Sequence, residues 1–438
     1  MANSQGGSRC ADPTATSRPD DTQCSDGLQS SPSCPGYSAP ASVGFGLLLL
    51  AVALAGASQT ATLALLPEVV NSSKSIGRVT SHDLHIVFLS ALFPLVAFLL
   101  APIWGWLADK NDYRAILRVA LVVLAAATFF FRSGSLIELY LARTAAGMAA
   151  AAIIPLALLS GSLGASDPRD QANRFTWLTA FVFVGDLAGP LIARFSASIL
   201  PAHPLTLLAG GIAIASVLLA IRPLPPRLEW CAALRRNRSL PLRTTFALLA
   251  VTTLGGAGLA VLHINLLLVH DAAGRGGDLV AVLLSLCGVG MLAAQLLQAR
   301  TGWLVARPRG TTQAMTLLLA AAMLISALPS PGLSIALGLP VLLVGWSAAS
   351  LRLVASFWLG GTGSVPSGLR LGWQHSATSV GQALVPLGLL AMPQRSPTEL
   401  TIALALGMVL LAMLLPVTWP LGVTKIGQAP RGLGSSRA

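Results

Sequence analysis

Two charged residues inside otherwise apolar runs are the side chains of this chain best placed to do chemistry. Asp186 and Arg143 each lie well within a stretch of predominantly apolar residues. A carboxylate in hydrocarbon costs at least ~2.5 kcal/mol, and such residues mark ion or substrate pathways by default. On neighbouring antiparallel helices the two would fall at similar depth and could pair. Such a couple suits proton coupling, with protonation of Asp186 linked to substrate release or reorientation. A static ion pair that only orients helices is the simpler alternative. Desolvation and the arginine act on the aspartate's proton in opposite senses. The uncharged polar residues Gln59, Thr60, His263, Asn265, Gln295 and Gln298 also lie in apolar runs. They are candidates either for the wall of a substrate cavity or for interhelical hydrogen bonds.

Nothing in the chain offers covalent catalysis. It has no H-E-x-x-H, G-x-S-x-G or C-x-x-C string and no G-x-x-x-x-G-K-[ST] phosphate loop. Its five cysteines, Cys10, Cys24, Cys34, Cys231 and Cys287, imply neither a disulfide framework nor a zinc site. No enzyme activity, metal or cofactor is expected, and a proton gradient would supply the energy.

The elements that must position these residues follow from composition. The chain has 438 residues, 54% hydrophobic and 10% charged. A soluble domain carries about 25% charged residues, and disorder needs low hydrophobicity, so both are excluded for the bulk of the chain. Apolar runs long enough to cross a ~30 Å hydrocarbon core recur at 43–66, 84–106, 115–131, 136–159, 175–200 and 205–221. They continue at 244–269, 279–299, 311–328, 333–359, 371–392 and 400–423. Each must be a helix, because lipid offers backbone groups no partners. The predicted fold is therefore all-α and integral to the membrane, with twelve transmembrane helices. Residues 1–41 read as a disordered tail, 42–221 as a first six-helix bundle and 222–243 as a basic linker. Residues 244–423 then form a second bundle and 424–438 a short tail.

Basic residues set the orientation. With both termini cytoplasmic, the inner loops carry sixteen Lys and Arg, six of them in the linker and one of them Arg352 near a span end, against six on the outer side. The net charge of +12 then records membrane topology, and no nucleic-acid partner is expected. The bilayer, protons and a small-molecule substrate are the expected partners of a monomer in the cell (inner) membrane. The halves also repeat. Gly105-Trp-Leu-Ala-Asp-Lys110 is echoed by Gly302-Trp-Leu-Val-Ala-Arg307, and Gly185 to Pro190 by Gly381 to Pro386. An even number of spans in each half makes the two repeats parallel, which is a transporter design with the site between halves.

Three strings at matching places carry a resemblance. Gly105-x-Leu107-Ala-Asp109-Lys110-x-x-x-Arg114 resembles motif A of the major facilitator superfamily. Arg143-x-x-x-Gly147 is similar to the core of motif B, and Gly185-x-x-x-Gly189-Pro190 to the antiporter motif C. Asp112 departs from the pattern, where motif A usually has glycine, and the second motif A echo lacks the acid. The resemblance implies that Asp109 sits by the start of span eleven, where a helix N-terminus and Arg370 could stabilise it. That contact would latch the halves together on the inside. Lys110 and Arg114 are equally well explained as cations at a lipid interface. Gly185, Gly189 and Pro190 are expected to serve packing and stiffness. The function this implies is proton-coupled efflux of a small organic molecule by alternating access. Uptake or symport on the same fold and metallophore (siderophore) export remain open, with a membrane-embedded transferase a remote alternative.

Overall fold

The computed structural model describes residues 41–72, 82–131, 135–165, 168–200, 203, 205–222, 224–225, 241–272, 277–302, 307–327, 337–361, 367–391 and 397–418. The tails, most of the basic linker and the larger part of the second motif A echo lie outside these residues.

Twelve helices account for nearly all of it. In the first half they are α1 (Ala41–Ser72), α2 (His82–Lys110), α3 (Tyr113–Phe130), α4 (Leu136–Leu163), α5 (Pro168–Ile199) and α6 (Thr206–Ile221). The second half has α7 (Leu242–Ala272), α8 (Gly277–Thr301), α9 (Pro308–Ala327), α10 (Gly338–Gly361), α11 (Gly368–Ala391) and α12 (Pro397–Thr418). Ten of them are long and apolar enough to cross a membrane. The two exceptions differ in cause. Helix α6 has 16 residues, about 24 Å of helix, which falls short of a full core. Helix α11 is long enough but polar, because Gln374, His375, Ser376, Thr378 and Ser379 are buried among other helices and need no lipid-compatible surface. Lipid-facing apolar residues concentrate on the outer helices, such as Ile214 and Val217 of α6 and Leu410 and Met413 of α12.

Successive helices alternate in direction. The end of α1 meets the end of α5 through the Glu68–Arg194 ion pair. The start of α2 meets the start of α4, where His85 Nδ1 and Tyr140 Oη lie 2.9 Å apart. The end of α2 meets the start of α11. We call the face where α1 begins and α12 ends the terminal face.

The packing repeats with the sequence. In the first half α1 packs on α5, α2 on α4, α3 on α4 and α6; in the second α7 packs on α11, α8 on α10, α9 on α10 and α12. The halves meet mainly where α2 lies against α11 and α5 against α8, contacts that the same pseudo-symmetry relates. Glycines let the inner helices touch backbone to backbone. A Cβ on Gly185 would strike Ala53 O and the Ala57 amide of α1, and one on Gly381 would strike Thr253 O and the Ala257 amide of α7. The reciprocal pair, Gly56 against Val182 O and Gly256 against Thr378 O, completes both seams. Gly189 sits against Ala57 and Thr60 in the same way, and Pro190 is buried beside it.

Replacing Gly185 or Gly381 by alanine is therefore expected to lower stability by roughly 1–3 kcal/mol, the usual cost of overpacking. Gly388→Ala, whose added methyl meets nothing within 4 Å, should leave the melting temperature unchanged. Thermal unfolding in detergent compares the three directly.

The second motif A echo keeps the string but loses the role. Gly105 lies inside α2 and fits against Gly368, whereas Gly302 ends α8 in the left-handed conformation (φ 62°) with open space around it. There it serves as a helix C-terminal glycine.

Candidate functional site

Residues of both halves enclose a central cavity, with α1, α2, α4 and α5 on one side and α7, α8, α10 and α11 on the other. Its volume is about 70 Å³, room for a few waters, so the cavity is narrow in this state. Asp186, Gln59 and Thr60 line it from the first half, and His263, Cys287, Arg352, His375 and Gln382 from the second. A second cavity, lined by Ser90, Pro94, Arg143, Ile264, Leu267 and Pro386, shares Gln59, Phe93, His263 and Gln382 with it. These residues lie toward the face opposite the terminal one, so the central space continues in that direction.

The structure does not join Asp186 to Arg143. Arg143 is buried at 3% exposure and donates from Nη1 to Thr62 Oγ1 (2.7 Å) and from Nε to Leu89 O (3.4 Å), with its guanidinium 5.0 Å from the Phe93 ring centroid. A backbone carbonyl, a hydroxyl and an aromatic face satisfy it, and it lines the second cavity and not the central one. The charge that Asp186 feels is Arg352, nine residues from the end of α10 and turned inward. Arg352, counted from the sequence among the inner-loop cations near a span end, is thus reassigned to the cavity. About 13 Å of helix separates it from that end, too far for its side chain to span. Asp186 itself lies against Gly56 of α1, which has no side chain to cover it.

Three of the predicted cavity residues are elsewhere. Asn265 donates from Nδ2 to Thr401 Oγ1 (3.3 Å) and ties α7 to α12. Gln295 is fully buried, with Oε1 hydrogen-bonded to Thr179 Oγ1 at 2.9 Å and Nε2 donating to Ala349 O at 3.4 Å. It ties α8 to both α5 and α10. Gln298 is likewise buried at 4% exposure and lines neither cavity. Asn265 and Gln295 are polar groups spent on helix packing. Conversely, the sequence reading missed Arg352, His375 and Gln382. Gln382 had a signal, because it stands in the repeat where Asp186 stands.

At the terminal face the space is closed. The Asp109 carboxylate at the end of α2 receives the Gly368 amide on Oδ1 (2.8 Å), and on Oδ2 the Leu369 amide (3.0 Å) and the Ser367 hydroxyl (3.0 Å). It caps the first turn of α11, where free amides and the helix dipole favour an anion. Arg370 stands half-buried in the same turn. Gly105 makes the approach possible, since a Cβ there would strike Gly368 O. Ser376 Oγ donates to Phe98 O (2.8 Å) and extends the seam inward.

The motif A cations serve local structure. Lys110 Nζ sits 4.0 Å over the Trp106 ring. Arg114 donates from Nε to Asp112 Oδ1 (2.9 Å), which also accepts the Arg114 amide (3.1 Å). Asp112 is thus the N-cap of α3 with extended backbone (φ −68°), a conformation that does not require glycine. Partial burial works against its carboxylate, but the Arg114 hydrogen bonds and the charges of Arg114 and Arg118 outweigh it and hold the group below the usual carboxylate range. Tyr113 Oη donates to Pro225 O (2.7 Å) and Arg114 Nη1 to Leu224 O (3.5 Å), so the start of α3 also holds the beginning of the linker.

Two repeated six-helix halves meeting at α2–α11 and α5–α8 around a central cavity that holds buried charges define a secondary transporter fold. The sequence profile of the Major Facilitator Superfamily matches residues 48–366, and the chain belongs to that superfamily of transporters. Over 150 residues it is 29% identical to the quinolone resistance protein NorA of Staphylococcus aureus (strain N315), covering 34% of this chain and 37% of that protein. Over 122 residues it is 34% identical to the putative multidrug resistance protein MdtD of Escherichia coli O1:K1 / APEC, covering 27% of this chain and 25% of that one. The chain thus spans only 25% to 37% of the length of these curated relatives. The crystal structure of the human organic anion transporter MFSD10 (TETRAN) superposes with a TM-score of 0.67 at 18% identity, covering 86% of this chain and 100% of that one. That likeness concerns the fold alone.

Proposed function

We propose that the protein exports a small organic molecule in exchange for protons, by alternating access. The observation that carries this reading is the placement of Asp186 and Arg352 on opposite halves of one central cavity. A carboxylate that gains or loses a proton changes the attraction between the halves, and so couples proton binding to their relative position. The motif C packing and the names of the NorA and MdtD relatives support efflux of drug-like compounds. The six-helix halves, 42–221 and 244–423, would move as bodies on the 222–243 linker, with Asp109 as the latch. The bias of basic residues supports cytoplasmic termini in a cell (inner) membrane. Moving Arg352 into the cavity changes the count only to fifteen against six. A monomer suffices for this cycle.

Uptake with co-transported protons is the second reading, and Arg352 is what favours it. An anionic substrate bound there would replace Asp186 as its counter-ion and travel with the aspartate's proton. Everted and right-side-out vesicles with an imposed pH gradient separate the two. Export predicts that fluorescent organic amphiphiles accumulate in everted vesicles with an acidic lumen, and that their uptake releases protons from that lumen. Accumulation only in right-side-out vesicles with an acidic exterior would overturn the export reading.

A further inference from the structure

Five ionisable side chains line the central cavity: Asp186 of α5, His263 of α7, Cys287 of α8, Arg352 of α10 and His375 of α11. Helix α1 adds the uncharged Gln59 and Thr60, and α4 adds only apolar groups. Among the described residues the cavity therefore holds one permanent cation and one carboxylate, from opposite halves. They sense each other's charge, yet no direct hydrogen bond or ion pair joins them. Arg352 Nε is buried without an acceptor, and so is His375 Nδ1 on a ring exposed by only 9%. Arg352 and His375 also sense each other, and both line the cavity with an unpartnered nitrogen. The lining also includes the apolar Phe93, Ile153, Phe183, Leu259 and Met291.

From this charge pattern we propose that the cavity binds a zwitterion, with an ammonium group on Asp186, a carboxylate on Arg352 and His375, and an apolar skeleton between. The proposal rests on the transport reading above and names its substrate class. The reason is charge balance in a poorly hydrated space. A simple cation on Asp186 would leave the guanidinium buried without an anion, and a simple anion on Arg352 would leave the carboxylate so; uncompensated buried charge is what such sites avoid. A zwitterion satisfies both ends and keeps the cavity neutral. A proton on Asp186 removes the ammonium seat and leaves the carboxylate seat, so protons compete with one end of the ligand only.

Three probes on one skeleton test this with the full-length protein in lipid nanodiscs. They are 4-(piperazin-1-yl)benzoic acid, its methyl ester, which is only cationic, and its N-acetyl derivative, which is only anionic. Equilibrium binding at about pH 8 should favour the zwitterion over either relative by about tenfold or more. Arg352→Gln should erase its advantage over the ester, and Asp186→Asn its advantage over the N-acetyl compound. At about pH 5.5 the zwitterion and the ester should weaken while the N-acetyl compound does not. Equal affinities, tighter binding of the ester or the anion, or no detectable binding of the zwitterion would each overturn the proposal. The wild-type ranking decides this even if a variant fails to fold. Proton-driven export of the ester without preference for the zwitterion would refute the zwitterion site and leave the transport reading standing. A zwitterion preference without proton-driven movement would do the reverse.

Discussion

Asp186→Asn is expected to abolish concentrative transport while leaving a folded protein. A pH difference of one unit supports up to about tenfold accumulation for each exchanged proton, because about 1.4 kcal/mol is a factor of ten in an equilibrium. With asparagine at position 186 that ratio should fall to about one, since the carboxylate that the described residues bring to the cavity is gone. Size and shape are nearly conserved, and the tight Gly56 and Gly185 contacts around the residue are untouched, so the protein should still fold and express. Its melting temperature should be lower, because Arg352 loses its opposing charge. Downhill equilibration of substrate should survive. The measurement is accumulation in proteoliposomes under an imposed gradient, beside exchange without one. Undiminished accumulation in the variant would rule out Asp186 as the coupling residue. The same assay on Arg143→Gln separates the two arginines. Arg143 is satisfied by Thr62 and Leu89 outside the central cavity, so its loss should lower stability or rate and leave the accumulation ratio near wild type.

The different fates of the two arginines show what a sequence conveys about a membrane protein. Spacing gives depth, because each residue advances a helix by 1.5 Å. It does not give the direction in which a side chain points around the helix. Spans read from the sequence put Asp186 and Arg143 at similar depth, and that made a pair plausible. In the structure Arg143 lies seven residues from the start of α4 and Asp186 thirteen from the end of α5. About 9 Å of helix rise therefore separates them, and they line different cavities. Direction was legible only where a repeat or a glycine spacing encoded it. Gly185 and Gly381 announced close helix contacts, and the repeat could have flagged Gln382 opposite Asp186. Arg352 was misjudged because its span end was placed too near, although an arginine that deep inside an apolar helix is itself a sign of an inward charge. Gln295 and Asn265 show the converse, as both satisfy themselves between helices, and nothing in the surrounding residues distinguishes that from facing a cavity. The Asp109 contact was legible through family resemblance and then carried further by geometry. The string named a residue near span eleven, and the structure supplied the two amides and the hydroxyl.

Asp109→Asn should shift the resting state toward opening at the terminal face. The carboxylate now accepts three hydrogen bonds at the start of α11, from the Gly368 and Leu369 amides and the Ser367 hydroxyl. Asparagine keeps one acceptor oxygen and turns an N–H₂ donor toward the others, so at least one donor at the helix start loses its partner. Hydrogen bonds to charged groups contribute about 1.5–3 kcal/mol, and the helix dipole adds to the loss of the anion. Because these contacts exist only while α2 and α11 are together, the whole loss falls on the closed state. That moves the equilibrium by roughly 10- to 150-fold. Gln59 is a suitable reporter, since it is partly exposed and lines both cavities. With Gln59→Cys in a background where the five natural cysteines are replaced, an impermeant maleimide should label the parent protein from the face opposite the termini. Adding Asp109→Asn should make labelling from the terminal face dominant. Asp109→Glu should give an intermediate result, because its longer side chain retains the charge but cannot hold both amides where Gly105 and Gly368 pack backbone to backbone. Unchanged labelling from both faces, with unchanged transport, would show that the cap holds α11 together locally and does not set the balance between states.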